Sequence, residues 1–522
     1  MNTAIPRPTQ MQPGTGRLVT CGTWRVRSDD RLAQLADVVR DLLRPHLDER
    51  LLGDGADHEI TLQIAGESVA PAPMGVAPTG APVDETYRLT VAEHGITCRA
   101  ATETGLFRAA TTALQLLAGG PGELAAQEIT DNPAYAWRGV MIDPARGFVP
   151  AAEVYRLIDL LALYKLNVLH LHLTDNEGWR IELPGLPELT AAGTPHYTTR
   201  EYGELQQYAA RRHVTIVPEI DLPGHCLALR QAFPELAVAP TPPEAAAVLR
   251  GTGDHVQFHP PLDLTDPDTE KLVERILAAL CGVTAGPFVH VGADEALGLP
   301  EESYVHAVTR LRAIVRERGK QPIGWQESAR AGTDARDIGQ FWFTLSMATA
   351  PDPGDAVPDM PAAAAHALVE FFQNTAHDLP RLIDSGARVL LSPQSHLYLD
   401  RPYQRATIPA EQRDTIGTLG FPYYPGRTLE QLAAWDPAGY GISDDQIAGI
   451  EATLFGESVG SVDDLTALLL PRLPAIAEIA WSGSAPAWSE YRGRLAAHAT
   501  VWRDRSLRFF ASTEVPWPPV TR

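Results

Sequence analysis

The 522-residue chain has few cysteines, a shortage of basic relative to acidic residues and no long apolar run, and each shortage excludes a class of protein. Its four cysteines, Cys21, Cys98, Cys226 and Cys281, are scattered without CxxC or metal-type spacing, which predicts reduced thiols. No stretch approaches the roughly 18 consecutive apolar residues that a membrane-crossing helix requires. The residues from Met1 to Gln12 show no basic patch leading into an apolar core, so no secretory signal is read and a cytoplasmic protein is expected. Against 65 acidic residues stand only 43 Lys and Arg, a net charge of -22. Nucleic acid and anionic membrane surfaces both need clustered cations, so neither is expected as a partner. A neutral or cationic small substrate fits better.

What the chain does have is organised in two parts. Residues 1–132 carry strand patterns at Glu59–Ile64, Tyr87–Val91 and Gly95–Ala100 and a helix from about Gly105 to Leu117, which predicts a small α+β domain. A Pro/Gly/Ala-rich segment, Val69–Pro82, is expected to be a mobile loop. Pro133 then disfavours helix at its predecessor and marks a boundary. From there to residue 522, short apolar runs alternate with amphipathic stretches. Eight strands are predicted at 139–143, 167–173, 214–219, 288–292, 322–325, 338–342, 389–392 and 447–453, with helices at 151–164, 199–212, 268–281, 301–318 and 362–385. Eight strands in βα alternation predict an α/β fold, a (β/α)8 TIM barrel with a C-terminal helical extension.

The chemistry gathers where those strands end. The run Phe288-Val-His-Val-Gly-Ala-Asp-Glu295 finishes on two adjacent carboxylates. Neighbours in a strand face opposite ways, so Asp294 and Glu295 serve one pocket only if the backbone turns there. Breaking an acetal needs a protonated carboxyl group at the leaving oxygen and a negative group near the oxocarbenium-like carbon. The other strand ends bring Asp143 and Arg146, Asp175, Glu219 with Asp221 and His225, Trp325 with Glu327, Trp342, Tyr398 with Asp400, and Glu457. Barrel enzymes place their chemistry at these ends, so the residues should converge on one site. His170 and His172, beside Asp221 and His225, also suit a metal centre as residue types.

Over nearly its whole length the chain resembles glycoside hydrolase family 20, the β-N-acetylhexosaminidases. The resemblance rests on His290-Val-Gly-Ala-Asp-Glu295, Asp143-Pro-Ala-Arg146, Leu171-His-Leu-Thr-Asp175, Glu219-Ile-Asp221-Leu-Pro-Gly-His225, Gly324-Trp-Gln-Glu327, Tyr398-Leu-Asp400 and Leu454-Phe-Gly-Glu457, in register. It implies retaining, substrate-assisted hydrolysis in which the sugar's own 2-acetamido oxygen attacks. Asp294 would hold the acetamido N–H and stabilise the oxazolinium, and Glu295 would protonate the leaving oxygen and then activate water. Tyr398 would bind the acetamido carbonyl, with Trp325 and Trp342 boxing its methyl group. Arg146, Asp400 and Glu457 would bind sugar hydroxyls, with Asp175, Asp221, His225 and His290 behind them. No metal and no cofactor are implied.

The match departs in places. Ala293 stands where the family usually has a second glycine, Asn176 replaces an acid, and Tyr423 and Phe455 replace pocket tryptophans, keeping an aromatic face but losing ring area and the indole N–H. The Pro-rich segment Ser346–Pro361 leaves the catalytic rim and is expected to form a lid, a wall beside the aglycone or an inert insertion. The leading expectation is an exo-acting enzyme releasing terminal GlcNAc or GalNAc from a small oligosaccharide or glycoconjugate. The alternatives are a relative with shifted specificity (disaccharide-releasing, sulfated-sugar or another β-glycosidase), a non-catalytic sugar-binding barrel and a metal-dependent hydrolase. A homodimer is left open, since an interface would compensate for the altered aromatics.

Overall fold

The computed structural model describes residues 3–51, 53, 55–119, 122–240, 259–343, 373–422 and 424–519. A six-stranded mixed sheet comes first, built from β1 (Gln10–Val19), β2 (Trp24–Arg27), β3 (His58–Ile64), β4 (Tyr87–Ala92), β5 (Gly95–Ala100) and β6 (Glu123–Asp131) in the order β1-β6-β4-β5-β3-β2. Ile60 and Leu62, Tyr87, Leu89 and Val91, and Ile96, Cys98 and Ala100 alternate inward with period two, the signal by which three strands were expected. β1 carries no such signal, because all but one of its residues lie outside the core and it pairs along β6 as an edge. The helix Ala33–Leu47, with Pro45 inside it, was also not anticipated.

The helix Glu103–Gly119 is buried on every side from Thr104 to Leu117, because it lies between this sheet and the C-terminal helix Trp488–Asp504. Charged residues pin the two parts together where water is excluded. Arg138 donates to both oxygens of Glu85 (2.7 and 2.8 Å), Arg108 donates to one of them (2.9 Å), and Lys165 and Trp481 both donate to Asp131 (3.0 Å each). Buried ions tolerate this only when paired and hydrogen-bonded.

The second part is the closed parallel barrel, with strands β7 (Trp137–Ile142), β8 (Val168–His172), β9 (Thr215–Leu222), β10 (Phe288–Gly292), β11 (Gln321–Trp325), β12 (Ile338–Phe341), β13 (Arg388–Leu391) and β14 (Ile447–Leu454) in chain order, β14 closing on β7. All eight expected strands are present. Helices Ala151–Leu163, Thr199–Arg211, Pro267–Val283 and Glu301–Glu317 occupy four of the expected positions. Of the fifth, 362–385, the described part forms Asp378–Asp384, and residues 362–372, like Ser346–Pro361, lie outside the described residues. Three helices, Val462–Leu469, Arg472–Ser482 and Trp488–Asp504, follow β14. The four cysteines are unpaired.

The segment Val69–Pro82 forms a loop, as expected, with one anchored residue. Val76 packs against the apolar layer at the N-terminal mouth of the barrel, made of Trp137, Val168, Val217, Ile323, Ile338, Leu390 and Ala448, and its N–H donates to Ala136 O (3.3 Å). An isolated valine among prolines and glycines gives no periodic signal, yet covering this mouth buries both surfaces.

Candidate active site

At the opposite mouth of the barrel the chain bends sharply after β10. Gly292, Ala293 and Glu295 all have positive φ, at 72°, 83° and 43°. Gly292 is obligatory, since a Cβ there would lie 1.7 Å from Asp221 Oδ1. Ala293 and Glu295 adopt the same region with side chains attached, a strain of about 1–3 kcal/mol each that survives only where the surroundings impose it. The bend is what turns two consecutive acids toward one pocket.

A relay of side chains stands behind Glu295. His225 places Nε2 3.4 Å from Glu295 Oε2 and Nδ1 3.1 Å from Asp175 Oδ1, and Asp175 in turn meets His172 (3.0 Å) and Arg146 (2.7 Å). Burial works against the charge on Asp175, but Arg146 and His225 hold its carboxyl well below the usual range. Burial likewise opposes protonation of His225, and Asp175 and Asp221 overcome it, lifting the imidazole well above its ordinary value. His225 is therefore a cation facing Glu295.

Asp294 sits differently. Its Oδ1 is buried and has no protein partner among the described residues, and burial, reinforced by Glu295 and Glu219, lifts its pKa to about 6 even though His225 pulls the other way. Asp221 shares a hydrogen bond with it and is itself pushed well up, by burial and by Asp294. Glu327 accepts from Trp342 Nε1 (3.0 Å) and is raised by the same two causes.

The walls are aromatic. Trp342 and Tyr398 stack at 20° with centroids 6.4 Å apart, and Phe455 lies 5.2 Å from Tyr398 and 6.4 Å from Trp325. Trp325 is held by its indole N–H, which donates to Glu219 Oε1 (2.9 Å). Arg146 lies under Phe455, 5.4 Å from the ring centroid, and faces Asp143 (2.8 Å), Asp175 (2.7 Å), Glu177 (3.6 Å) and Glu457 (3.6 Å). Asp400 is driven up to about 8 by burial and by the nearby Glu457. A cleft of about 260 Å³ opens beside Glu295, bordered by Glu301, Tyr304, Glu327, Arg330 and Arg381.

The structure thus gathers Asp294, Glu295, Arg146, Asp175, Asp221, His225, Trp325, Trp342, Tyr398, Asp400, Phe455 and Glu457 around one mouth. Tyr423 falls outside the described residues; its neighbour Tyr424, which sequence reasoning passed over, lies 6.2 Å from Tyr398. His290 belongs to the wall rather than to the acid, pairing with Glu219 (2.8 Å) and meeting Trp325 edge-on at 5.0 Å. Glu219 was read only as a strand end, yet it joins His170 (3.2 Å), His172 (2.5 Å), His290 and Trp325. The histidines that suggested a metal centre find hydrogen-bonding carboxylates: His170 pairs with Glu219 and Glu451, and His172 with Glu219 and Asp175.

A (β/α)8 barrel whose strand ends hold two neighbouring acids, a charged Asp–His pair behind one of them and aromatic walls around both has the architecture of a glycoside hydrolase. Comparison narrows the class. The chain matches the glycosyl hydrolase family 20 catalytic domain over residues 135–307 and 300–484 and domain 2 of that family over residues 2–132. It is 33% identical over 540 residues to a β-N-acetylhexosaminidase of Cellulomonas fimi, covering 98% of this chain and 97% of that one. A β-hexosaminidase of Akkermansia muciniphila is 30% identical over 436 residues, 79% of this chain and 83% of its own. The solved Streptomyces plicatus N-acetyl-β-hexosaminidase in complex with Thio-NAglucal superposes with a TM-score of 0.79 at 31% identity, covering 99% of this chain and 98% of that one. The protein belongs to glycosyl hydrolase family 20, as a glycoside hydrolase of the β-N-acetylhexosaminidase type.

Proposed function

We propose that the enzyme is exo-acting, removes terminal non-reducing GlcNAc or GalNAc from small oligosaccharides or glycoconjugates, and retains configuration by using the substrate's acetamido oxygen as nucleophile. The observation that carries this reading is Asp294, a carboxylate near Tyr398 with a buried oxygen that has no partner among the described residues. A buried acceptor left unmade is costly, and an acetamido N–H supplies the missing donor. Once paired, Asp294 lies where the oxazolinium's positive charge develops. Tyr398 donates to the acetamido carbonyl and Trp325 and Trp342 confine the methyl group, so the oxygen is held within reach of the anomeric carbon.

Glu295 acts as acid and then as base, with His225 and Asp175 fixing its orientation. Arg146, Asp400 and Glu457 bind the ring hydroxyls. A Streptomyces plicatus relative captured with product GlcNAc supports the choice of sugar. A second reading, shifted specificity, draws on Phe455, whose ring is smaller than the tryptophan expected there. Release of p-nitrophenol from the β-GlcNAc and β-GalNAc glycosides and the β-glucoside, by wild type and Asp294→Ala, separates the two. Activity confined to the N-acetylated glycosides and abolished in the variant is the expected result; equal activity on the glucoside would refute acetamido participation.

A further inference from the structure

We infer that Tyr304 is a positioning residue for the acid pair: its hydroxyl tethers the carbonyl of Ala293 and so holds the left-handed bend that aims Glu295 relative to Asp294. This rests on the roles proposed above for those two acids. The bend contains two residues with side chains in a region L-residues avoid, so something outside it must keep it from relaxing. Three contacts meet at Ala293. Its N–H donates to Asp221 Oδ1 at a long 3.3 Å; its methyl group packs in a small apolar nook with Ala296, Tyr304 and Val308; its carbonyl accepts from Tyr304 Oη at 2.5 Å. The last is the shortest, and it acts on the peptide unit that leads directly into Asp294.

Tyr304 is built to keep that contact. It lies in the first turn of Glu301–Glu317, its own N–H donating to Pro300 O (2.9 Å), and it is 5% exposed, with the Arg330 guanidinium 5.9 Å from its ring centroid. Burial, with Glu327 nearby, pushes its phenol well above the ordinary range, so it remains a donor at working pH. It also borders the cleft beside Glu295, so the tether lies between the bend and that open space.

Tyr304→Phe removes the hydroxyl and keeps the ring. The measurement is kcat and KM on two N-acetyl-β-glucosaminides, one with p-nitrophenol as leaving group and one with methanol, whose alkoxide needs the proton of Glu295. The expected result is a fall in kcat of about 10- to 100-fold on the methyl glycoside, a smaller fall on the p-nitrophenyl glycoside, and KM changed by less than about twofold on either. The ratio of the two rates does not depend on how much of the preparation is folded, so partial misfolding lowers both equally. An unchanged ratio, whether the rates are intact or fall together, would overturn the inference and leave Tyr304 as packing, in which case Tyr304→Leu should be the damaging change. A wild type inactive on both glycosides would instead refute the proposed function itself, before any variant is compared.

Discussion

At its N-terminal mouth the barrel is filled by Trp137, Val168, Val217, Ile323, Ile338, Leu390 and Ala448, whereas halfway up the same strands it holds His170, Glu219, His290, Gln340 and Glu451. The two layers are in register. His170 follows Val168 by two positions, Glu219 follows Val217, Trp325 follows Ile323 and Gln340 follows Ile338, so all of these side chains point inward. The lower layer gains free energy simply by excluding water. The upper layer is expensive to bury and is tolerated because every member has a partner: Glu451 accepts from Trp137 (2.8 Å) and Gln340 (3.0 Å) and pairs with His170 (2.9 Å), while Glu219 gathers three histidines and Trp325. The contrast teaches that stability and chemistry are divided by depth along each strand, with the polar layer serving as the mount for the pocket wall and, through His172 and Asp175, for the acid's relay.

That division can be broken at several depths. The largest effect is expected at the rim, where Glu295→Gln should lower kcat by about 100- to 10,000-fold with the melting temperature little changed, as followed by p-nitrophenol release and thermal unfolding. Next comes the polar layer. Glu219→Gln strips His170, His172 and His290 of their shared carboxylate and should destabilise the protein by about 3–5 kcal/mol, readable in urea unfolding, because the cluster is left with uncompensated charge.

A pH titration sharpens the comparison. Burial raises Asp294 to about 6, and its proposed role requires the carboxylate, so kcat/KM should rise as pH increases through about 6 rather than near 4. The stability consequence has the opposite sign: the folded state holds the proton more tightly than the unfolded chain, so Asp294 contributes a loss of stability as pH rises from its ordinary value to about 6. His225→Gln removes the cation that pulls Asp294 down, so the acidic limb should move upward; a limb that stays in place would show that another group sets it.

Smaller effects test the walls and the base. Phe455→Leu removes an aromatic face, and KM for the GlcNAc glycoside should rise by about 2- to 12-fold, corresponding to about 0.5–1.5 kcal/mol. Ile338→Val, in the apolar layer, should cost about 0.5–1.5 kcal/mol in unfolding free energy and leave kcat unaltered. A change in kcat there would contradict the separation by depth.

Much of this was legible in the chain because short apolar runs ending in acids or aromatics carry their own period. The eight barrel strands and the Asp294–Glu295 pair lie in such runs or just beyond them, whereas the roles of Asp175, His225, Trp325, Trp342 and Tyr398 were implied by the resemblance to family 20. Residues without local signal were not readable: Tyr304 is one buried tyrosine on an amphipathic helix, Tyr424 follows another tyrosine, and Val76 stands among prolines and glycines. β1 pairs almost wholly outside the core, so it carries no alternation to detect.

Sequence alone determined which residue types reach the strand ends and in what order, since alternation and turn chemistry are properties of neighbours along the chain. Only the closed barrel decided what they do to one another. Closure sets His225 between Asp175 and Glu295, 50 and 70 positions away, and takes these groups out of water: burial raises Asp294 by penalising its charge, whereas the unscreened carboxylates of Asp175 and Asp221 raise His225 against the same penalty.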